Sequence, residues 1–137
     1  MISGTQFHFV DPAWLPLVAR DACRRGIVTY SEIEEIRLHC CNNKAMCLAC
    51  EDALVVAQLK PEPAGQHLEL FVWLAVAFRH GAFERQFPAI LKIARELEAQ
   101  AIAFQSRRNG WSRKLGRGWR RRGSNEMVRW LDEQGRS

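Results

Sequence analysis

The sequence predicts an α/β protein in which a mixed β-sheet is flanked by helices. His67–Phe78 is apolar on both alternating faces, which is typical of a strand buried in the centre of a sheet. Apolar residues at helical spacing begin at Phe83, and Ala101–Gln105 is a second short apolar run. Strand, helix and strand in this order form a βαβ unit, so we expect the strands at 68–78 and 101–105 to be parallel.

The N-terminal part predicts a strand and a first helix. Phe7–Val10 is the predicted strand. Asp11 is a good N-cap and Pro12 a good first helical residue, because proline loses no needed N–H there. We expect this helix to run to Arg25 and to stop at Gly26. Pro16 lies inside it, so we expect an irregular first turn.

A second helix is predicted from a capping-box pattern. Ser31 and Glu34 have the spacing at which the two side chains satisfy each other's backbone donors. Asn42-Asn43 is expected to end the helix. One face of this helix carries three residues that we expect to be buried: Ile33, Ile36 and Cys40.

Two apolar runs on either side of an acidic pair predict a β-hairpin. They lie within 45–59 and are separated by Glu51-Asp52. The central strand follows after a loop. After it, an amphipathic helix is predicted, with Pro88 tolerated only in its first turn or as a kink. Its apolar side consists of Phe83, Phe87, Ile90, Leu91, Ala94 and Leu97.

The C-terminal part predicts a basic helix or loop and a last strand at Glu126–Leu131. The expected order is therefore β-α-α-β-β-β-α-β-α-β. A chain of 137 residues has room for one hydrophobic core, so we expect residues 1–137 to form a single domain.

The composition excludes several classes of protein. The chain is 47% hydrophobic and 26% charged, which is typical of neither a disordered nor a fibrous protein. The longest apolar run has nine residues, whereas a transmembrane helix needs about 20. Met1–Val10 lacks the features of a signal peptide. We therefore expect a cytoplasmic protein without a membrane partner, whose five cysteines are thiols.

Basic residues are concentrated in one segment. The net charge is +5, and Arg107–Arg122 contains eight basic residues and no acid. Such a segment suits phosphate, nucleic acid or an acidic protein partner. Four residues are the candidate anion-binding set: Arg107, Arg108, Arg113 and Lys114.

The same segment has two interpretations. Arginines interleaved with Trp111 and Trp119 are typical of nucleic-acid grooves, where Arg contacts phosphate and Trp stacks on bases. Alternatively, Trp111 and Leu115 lie on the core side of a helix whose arginines are solvated. No helix-turn-helix pattern is present, so sequence-specific DNA recognition is not expected.

The cysteines form one candidate metal site. Cys47 and Cys50 have the spacing of zinc ligands, but no second pair accompanies them. On a strand, a separation of three residues directs their side chains to opposite faces. Buried structural cysteines and no metal are therefore expected, with a metal site or a catalytic thiol as the alternatives.

The turn between the central strand and the amphipathic helix is a candidate anion site. Helix N-termini offer N–H groups and partial positive charge, and Gly81 allows close approach of a ligand to the backbone. The alternative is an ordinary strand–helix turn.

The element order, this turn and Lys114-Leu115-Gly116 together resemble the GNAT N-acetyltransferase fold over nearly the whole chain. In that family, a (Q/R)-x-x-G-x-(G/A) loop at the turn holds the pyrophosphate of acetyl-CoA. The resemblance implies that Arg79, His80, Gly81 and Ala82 contact this group. Here Arg and Gly are one residue closer than in the family pattern.

The family's last helix often carries a tyrosine that protonates the CoA thiolate, followed by K-L-G-F. This chain has one tyrosine, Tyr30, in the predicted second helix. The altered loop and the missing tyrosine together favour a catalytically degenerate member.

A closer resemblance is to small GNAT-like proteins of tailed bacteriophages, including the short internal virion protein of some short-tailed phages. It lies in the strand Leu70–Ala77 and the basic segment Arg108–Leu115. It implies a binding role in virion structure, assembly or DNA packaging. The partners would be other virion or assembly proteins, or a polyanion at the basic segment. The location would be the host cytoplasm or the virion.

Two alternative functions remain open. The first is an active N-acetyltransferase with acetyl-CoA as cofactor, using backbone amides after Phe78 to polarise the thioester carbonyl. The second is a nonspecific nucleic-acid-binding protein.

Overall fold

A computed structural model describes residues 6–26, 28–105, 118–123 and 126–131. Within these ranges, seven strands form one sheet in the order β1-β2-β3-β4-β5-β7-β6. None of the helices in these ranges is long and apolar enough to cross a membrane. The elements are β1 (His8–Phe9), α1 (Leu15–Val18), α2 (Arg20–Arg24), α3 (Tyr30–Cys41), β2 (Met46–Ala49), β3 (Ala53–Pro61), β4 (Leu68–Ala77), α4 (Ala82–Glu96), β5 (Ala101–Gln105), β6 (Trp119–Arg122) and β7 (Glu126–Trp130).

The sheet is mixed, as predicted. β4 and β5 are parallel, with Glu69 opposite Ala101 and Val72 opposite Phe104. The other neighbouring strands, including the β2–β3 hairpin, are antiparallel. The predicted βαβ unit is therefore confirmed as β4–α4–β5.

The helix predicted between Asp11 and Arg25 has the irregular start that Pro16 indicates, but it is also divided at Ala19. Asp11 does cap the start, since its Oδ1 accepts from Ala13 N at 2.9 Å. A single turn of 3-10 helix (Pro12–Trp14) is followed by the short helices α1 and α2, which are separated at Ala19. Pro16 accounts for the irregular start, because it lacks the N–H that would bond to Pro12 O in a continuous helix.

The second helix begins two residues earlier than predicted. The capping box is formed by Thr29 and Glu32: Thr29 Oγ1 accepts from Glu32 N at 3.1 Å, and Glu32 Oε1 accepts from Thr29 N at 3.2 Å. The chain contains two overlapping patterns of this type, and packing selects between them. With Thr29 as the cap, Val28 is the residue before the cap and Ile33 is the fourth residue of the helix. Both are buried in the same cluster, so they form the hydrophobic staple. With Ser31 as the cap, Tyr30 would take the place of Val28, and Tyr30 is exposed.

The core lies on both faces of the sheet. On one face, α4 packs over residues of the sheet that include Val55, Leu70 and Ile102. On the other face, α1 and α3 cover Cys47, Leu54 and Val56. The predicted buried face of the second helix is confirmed for Ile33, Ile36 and Cys40.

β4 contains a bulge that the sequence pattern did not reveal. Val72 lies opposite Ala57 and Leu74 lies opposite Val56, so Trp73 is an extra residue in the ladder. Val72 belongs to the cluster under α4, whereas Leu74 belongs to the cluster under α3. The bulge therefore exchanges the two faces of the strand halfway along its length.

The C-terminal part of the predicted basic helix or loop is a strand. β6 pairs antiparallel with β7, with Trp119 opposite Arg129 and Arg122 opposite Glu126. Trp119 lies 5.3 Å, between ring centroids, from Phe104, so cross-sheet aromatic packing outweighs the local accumulation of charge. β7 confirms the predicted last strand. The described residues therefore form seven strands, one more than the six in the predicted order.

Pro88 lies beyond the first turn of α4, and the helix continues through it to Glu96. The alternative that Pro88 lies in the first turn is therefore wrong, and the alternative of a kink stays a prediction. The apolar side of α4 is buried as predicted at Ile90 and Ala94.

Candidate functional site

A cavity of about 350 Å³ lies between β4, the start of α4 and the α1–α2 region. The carboxyl half of β4 forms one wall, from Leu74 to Ala77, and Phe78 continues it. Side chains of the other elements close the remaining sides. These include Phe7, Val18, Ala22, Ala82, Phe83 and Ile90. An apolar pocket with few polar groups is the usual form of a small-molecule site.

The cavity lies where β4 separates from β5. The two strands pair from Glu69 to Val72 on the β4 side, and the bulge at Trp73 follows directly. In the part of the chain that the structure describes, β4 beyond Val72 pairs with β3 alone. Among the described residues, none pairs with the main chain on the other side of this half of β4.

The turn after β4 has a left-handed glycine. Gly81 is the N-cap of α4 with φ of 76° and ψ of 10°, a conformation that other residues adopt at a cost. A Cβ at this position would lie 3.0 Å from Arg85 Nη1. Ala82 is buried and lines the cavity, and its N–H donates to Arg79 O at 3.2 Å. His80 is exposed.

Two carboxylates in the turn between β2 and β3 accept hydrogen bonds from polar side chains near the start of α4. Arg79 Nη2 donates to Glu51 Oε1 at 2.8 Å, and Arg79 Nη1 lies 3.8 Å from Asp52 Oδ1. Arg85 Nε and Gln86 Nε2 both donate to Asp52 Oδ2, at 3.0 and 2.9 Å. The bonds from Arg85 and Gln86 lower the pKa of Asp52. The guanidinium of Arg79 is thus shared with two carboxylates and is not directed at the cavity alone.

The sequence pattern does not reveal the role of Asp52. The pattern predicts a polar interruption between two strands, yet Asp52 is buried and joins the hairpin to α4. The main chain of the same residue also accepts from Phe78 N at 2.7 Å. Only the antiparallel pairing of β3 with β4, which brings Ala53 opposite Ala77, places Asp52 beside this turn.

The polar groups at the cavity are few. Asp21 and Arg25 form an ion pair of 3.0 Å, and Gln86 is bonded to Asp52. No tyrosine, histidine or cysteine is among the lining residues of the described ranges. Tyr30 is exposed at the start of α3 and does not line the cavity.

The cysteines lie in the core. Cys47 belongs to the cluster under α3 and Cys50 to the cluster under α4, so the prediction that they face opposite sides of the sheet is confirmed. Cys40 and Cys47 share a hydrogen bond, which lowers the pKa of the Cys40 thiol and raises that of Cys47. Among the residues that can be described, no three candidate ligands are grouped as a metal site.

The predicted anion-binding residues Arg107, Arg108, Arg113 and Lys114 lie outside the described residues, as do Trp111 and Leu115. Of the same basic segment, Arg120 is exposed on β6. Arg122 contacts the carboxylates of Glu69 and Glu126. Part of the basic charge therefore serves the fold and not a ligand.

The architecture is the GNAT acetyltransferase fold. An acetyltransferase of the GNAT family from Listeria monocytogenes 4b F2365 has 11% identity and a TM-score of 0.58, covering 91% of this chain and 94% of its own. A GNAT-family acetyltransferase from Streptococcus pneumoniae has 11% identity and a TM-score of 0.52, covering 91% and 98%. The ribosomal L7/L12 α-N-protein acetyltransferase RimL has 13% identity and a TM-score of 0.51, covering 95% and 96%.

Identities this low show the shared fold alone. No protein-family model matches the sequence, and no curated protein matches it. The resemblance that the element order indicated is therefore confirmed for the fold.

Proposed function

We propose that this chain binds acetyl-CoA in the cleft beside the carboxyl half of β4, and that it acts by binding and not by acetyl transfer. The observation that carries the proposal is the separation of β4 from β5 beyond Val72, next to a cavity of about 350 Å³. The proposal is supported by the fold, which this chain shares with GNAT-family acetyltransferases.

The cleft provides three kinds of contact for a CoA thioester. The side of β4 that has no strand partner among the described residues suits the amide groups of the pantetheine arm, as an added strand would pair with a sheet edge. The apolar lining suits the acyl group and the methylene chain. The turn at Gly81, where α4 begins, suits the pyrophosphate through the partial positive charge of the helix. In this arrangement the pyrophosphate is surrounded by Arg79, His80, Gly81 and Ala82. The main chain of the turn contributes more to binding it than the side chain of Arg79, which is bonded to carboxylates.

The absence of a suitable proton carrier among the described lining residues supports binding without transfer. The lining ionisable groups there are Asp21 and Arg25, which neutralise each other. Tyr30, the one tyrosine in the sequence, lies elsewhere. The resemblance to phage proteins extends this proposal to a role in virion structure, assembly or DNA packaging, in the host cytoplasm or the virion. The basic residues Arg107, Arg108, Arg113 and Lys114 would then contact the partner.

Calorimetry with acetyl-CoA tests the proposal. We expect binding by the wild-type chain and weaker binding by Gly81→Val, because a side chain at this left-handed residue distorts the turn. Gly65→Val is the matched control, since Gly65 also has a positive φ, of 79°, and lies in the β3–β4 loop away from the cleft. No binding of acetyl-CoA at saturating concentration would overturn the proposed ligand.

A second candidate is an active N-acetyltransferase. It is favoured by the same side of β4, which no described strand pairs with and whose amides would polarise the thioester carbonyl. An assay for released CoA thiol separates the two functions. Release that depends on an added amine acceptor establishes the enzyme and excludes the non-catalytic role.

The role of the basic segment is tested separately. If Arg107, Arg108, Arg113 and Lys114 contact a polyanion, binding falls steeply with salt concentration, because counterions are released from the neutralised phosphates. Joint replacement of the four by Gln should abolish binding and leave the circular dichroism spectrum unchanged. Salt-independent binding contradicts this contact.

A further inference from the structure

A second cavity lies between the β3–β4 loop and the strands β6 and β7. Its volume is about 330 Å³, which is in the range of small-molecule sites. The loop contributes residues 62–64 to its lining, and the strands contribute residues 120–122 and Trp130. This loop precedes β4, whereas the cleft described above lies beside the carboxyl half of β4. Among the described residues, none lines both cavities.

Glu62 holds the loop side of this cavity in one conformation. Glu62 is buried, and its two carboxylate oxygens accept from Ala64 N at 2.9 Å and from Gln66 N at 3.0 Å. Its own N–H donates to His67 O at 2.9 Å, which joins the two ends of the loop. The negative charge of Glu62 is therefore engaged by main-chain donors, and this side of the cavity is formed before any ligand binds.

Trp130 offers an aromatic surface at the cavity. The residue ends β7, lines the cavity and is 42% exposed. The rings of His67 and Trp130 form an edge contact, with centroids 5.3 Å apart and an interplanar angle of 84°. This contact fixes the orientation of the indole and leaves much of it accessible. An indole held in this way is a surface on which a planar aromatic ring can stack.

Arg120 lies beside Trp130 on the same face of the sheet. It is opposite Val128 in the β6–β7 ladder, and Trp130 is two residues further along β7. Residues in such diagonal positions have Cα atoms about 7–8 Å apart and project from the same face. Arg120 is exposed, whereas Arg122 on the same face is bonded to two carboxylates. Arg120 is therefore the arginine of this face that is placed to contact an anion.

Packing alone does not account for a tryptophan at this position. Trp119 of the neighbouring strand shows how the fold uses an indole for packing, since it contacts Phe104 at 5.3 Å between ring centroids. Trp130 keeps a large exposed area instead, next to an exposed guanidinium and a loop of fixed shape. A planar ring and an anion separated by a few ångströms within one ligand would satisfy both side chains. The base and the phosphate of a nucleotide have this arrangement.

We propose that this cavity binds a nucleotide, with the base stacked on Trp130 and the phosphate bound by the guanidinium of Arg120. The nucleotide is either free or one unit of a single-stranded nucleic acid. This site does not depend on the ligand proposed for the cleft, because it is built from other residues at the other end of β4.

Fluorescence anisotropy with a labelled single-stranded oligonucleotide tests the site, and calorimetry with adenosine monophosphate tests the free nucleotide. We expect Trp130→Leu to weaken binding about tenfold through the loss of one stacked base, with no change in salt dependence. Arg120→Gln should also weaken oligonucleotide binding. It should in addition reduce the slope of log K against log salt concentration by about 0.7, because one phosphate contact is lost.

Trp14→Leu and Arg20→Gln are the matched controls, because both residues are exposed and neither lines this cavity. They should leave binding unchanged. Arg120→Gln keeps the test valid if Trp130→Leu does not fold, since Arg120 is exposed. Oligonucleotide binding that survives both cavity variants belongs to other basic residues and overturns the proposal, as does the failure of the wild type to bind either probe.

The two probes separate the two sources of the nucleotide. Binding of adenosine monophosphate that Trp130→Leu weakens assigns the cavity to a free nucleotide. Oligonucleotide binding that Trp130→Leu weakens, without binding of adenosine monophosphate, assigns it to a single strand.

Discussion

The fully buried carboxylate of Glu69 and the guanidinium of Arg122 form a two-point ion pair that joins β4 to β6. Arg122 Nη1 donates to Glu69 Oε1 at 2.7 Å, and Nη2 donates to Oε2 at 3.0 Å. Arg122 Nε also donates to Glu126 Oε1 at 2.8 Å. The bonds from these carboxylates raise the pKa of Arg122. One arginine of the basic segment therefore holds the edge strand against the centre of the sheet.

Glu69→Gln should lower the free energy of unfolding by about 3 kcal/mol, because it leaves the partly buried Arg122 without its main counter-charge. Glu126→Gln should cost less, since Glu126 is more exposed and the two-point contact with Glu69 remains. Urea denaturation followed by circular dichroism measures both values. Equal losses for the two variants would show that the ion pair with Glu69 contributes no more to stability than the ion pair with Glu126.

Asp52 should make stability depend on pH. Its pKa is lowered in the folded state, first by the bond from Arg85, so its contribution is fully present above its ordinary pKa of 3.8. The contribution is lost as the pH falls through the lowered folded-state value. Asp52→Asn should therefore be less stable than the wild type at pH 7, and the difference should shrink as the pH falls below about 4. Urea denaturation between pH 7 and pH 3 measures it, and a difference that stays constant would rule out this linkage.

The two sides of α3 should respond differently to truncation. Ile36 is fully buried, so Ile36→Ala should lower the free energy of unfolding by about 3 kcal/mol. Leu38 lies in the same helix but is 48% exposed, and Leu38→Ala should change stability by less than about 1 kcal/mol. Chemical denaturation of the two variants is the measurement. A large loss for Leu38→Ala would indicate that another chain segment covers this side of the helix.

The cysteines should differ in reactivity towards a thiol reagent. Cys41 is exposed and should react first, whereas Cys47 and Cys50 are buried and should react only on unfolding. Burial also raises the pKa of Cys23, which reduces its thiolate fraction. Titration with Ellman's reagent, with and without denaturant, measures these rates. Rapid loss of all five thiols in the native protein would contradict the burial described.

Residues close together in the sequence determined the element types. Apolar spacing along α4 and along β4 predicted a helix and a central strand because burial acts on faces that repeat every few residues. The parallel pairing of β4 with β5 followed from the handedness and length of a βαβ connection. These features need no knowledge of distant contacts.

Competition between equivalent local patterns was decided by packing. Both capping boxes at the start of α3 have the correct spacing, and the buried contact between Val28 and Ile33 selects Thr29. Likewise, β6 forms although its sequence is mainly arginine, because Trp119 packs on Phe104 and Arg122 finds Glu69. The local charge predicted a solvated segment, but contacts with residues distant in the sequence stabilise a strand there.

The sequence by itself determined the α/β class, the βαβ unit, the buried face of α3 and the turn at Gly81, because each depends on periodicity or on a single residue's backbone freedom. Tertiary structure alone decided the bulge at Trp73, the position of Asp52 beside α4 and the ion pair of Glu69 with Arg122. These three depend on which residues become neighbours across the sheet. An ion pair or a ladder register forms between side chains dozens of residues apart, and its energy depends on distances and burial that exist only after the chain has folded.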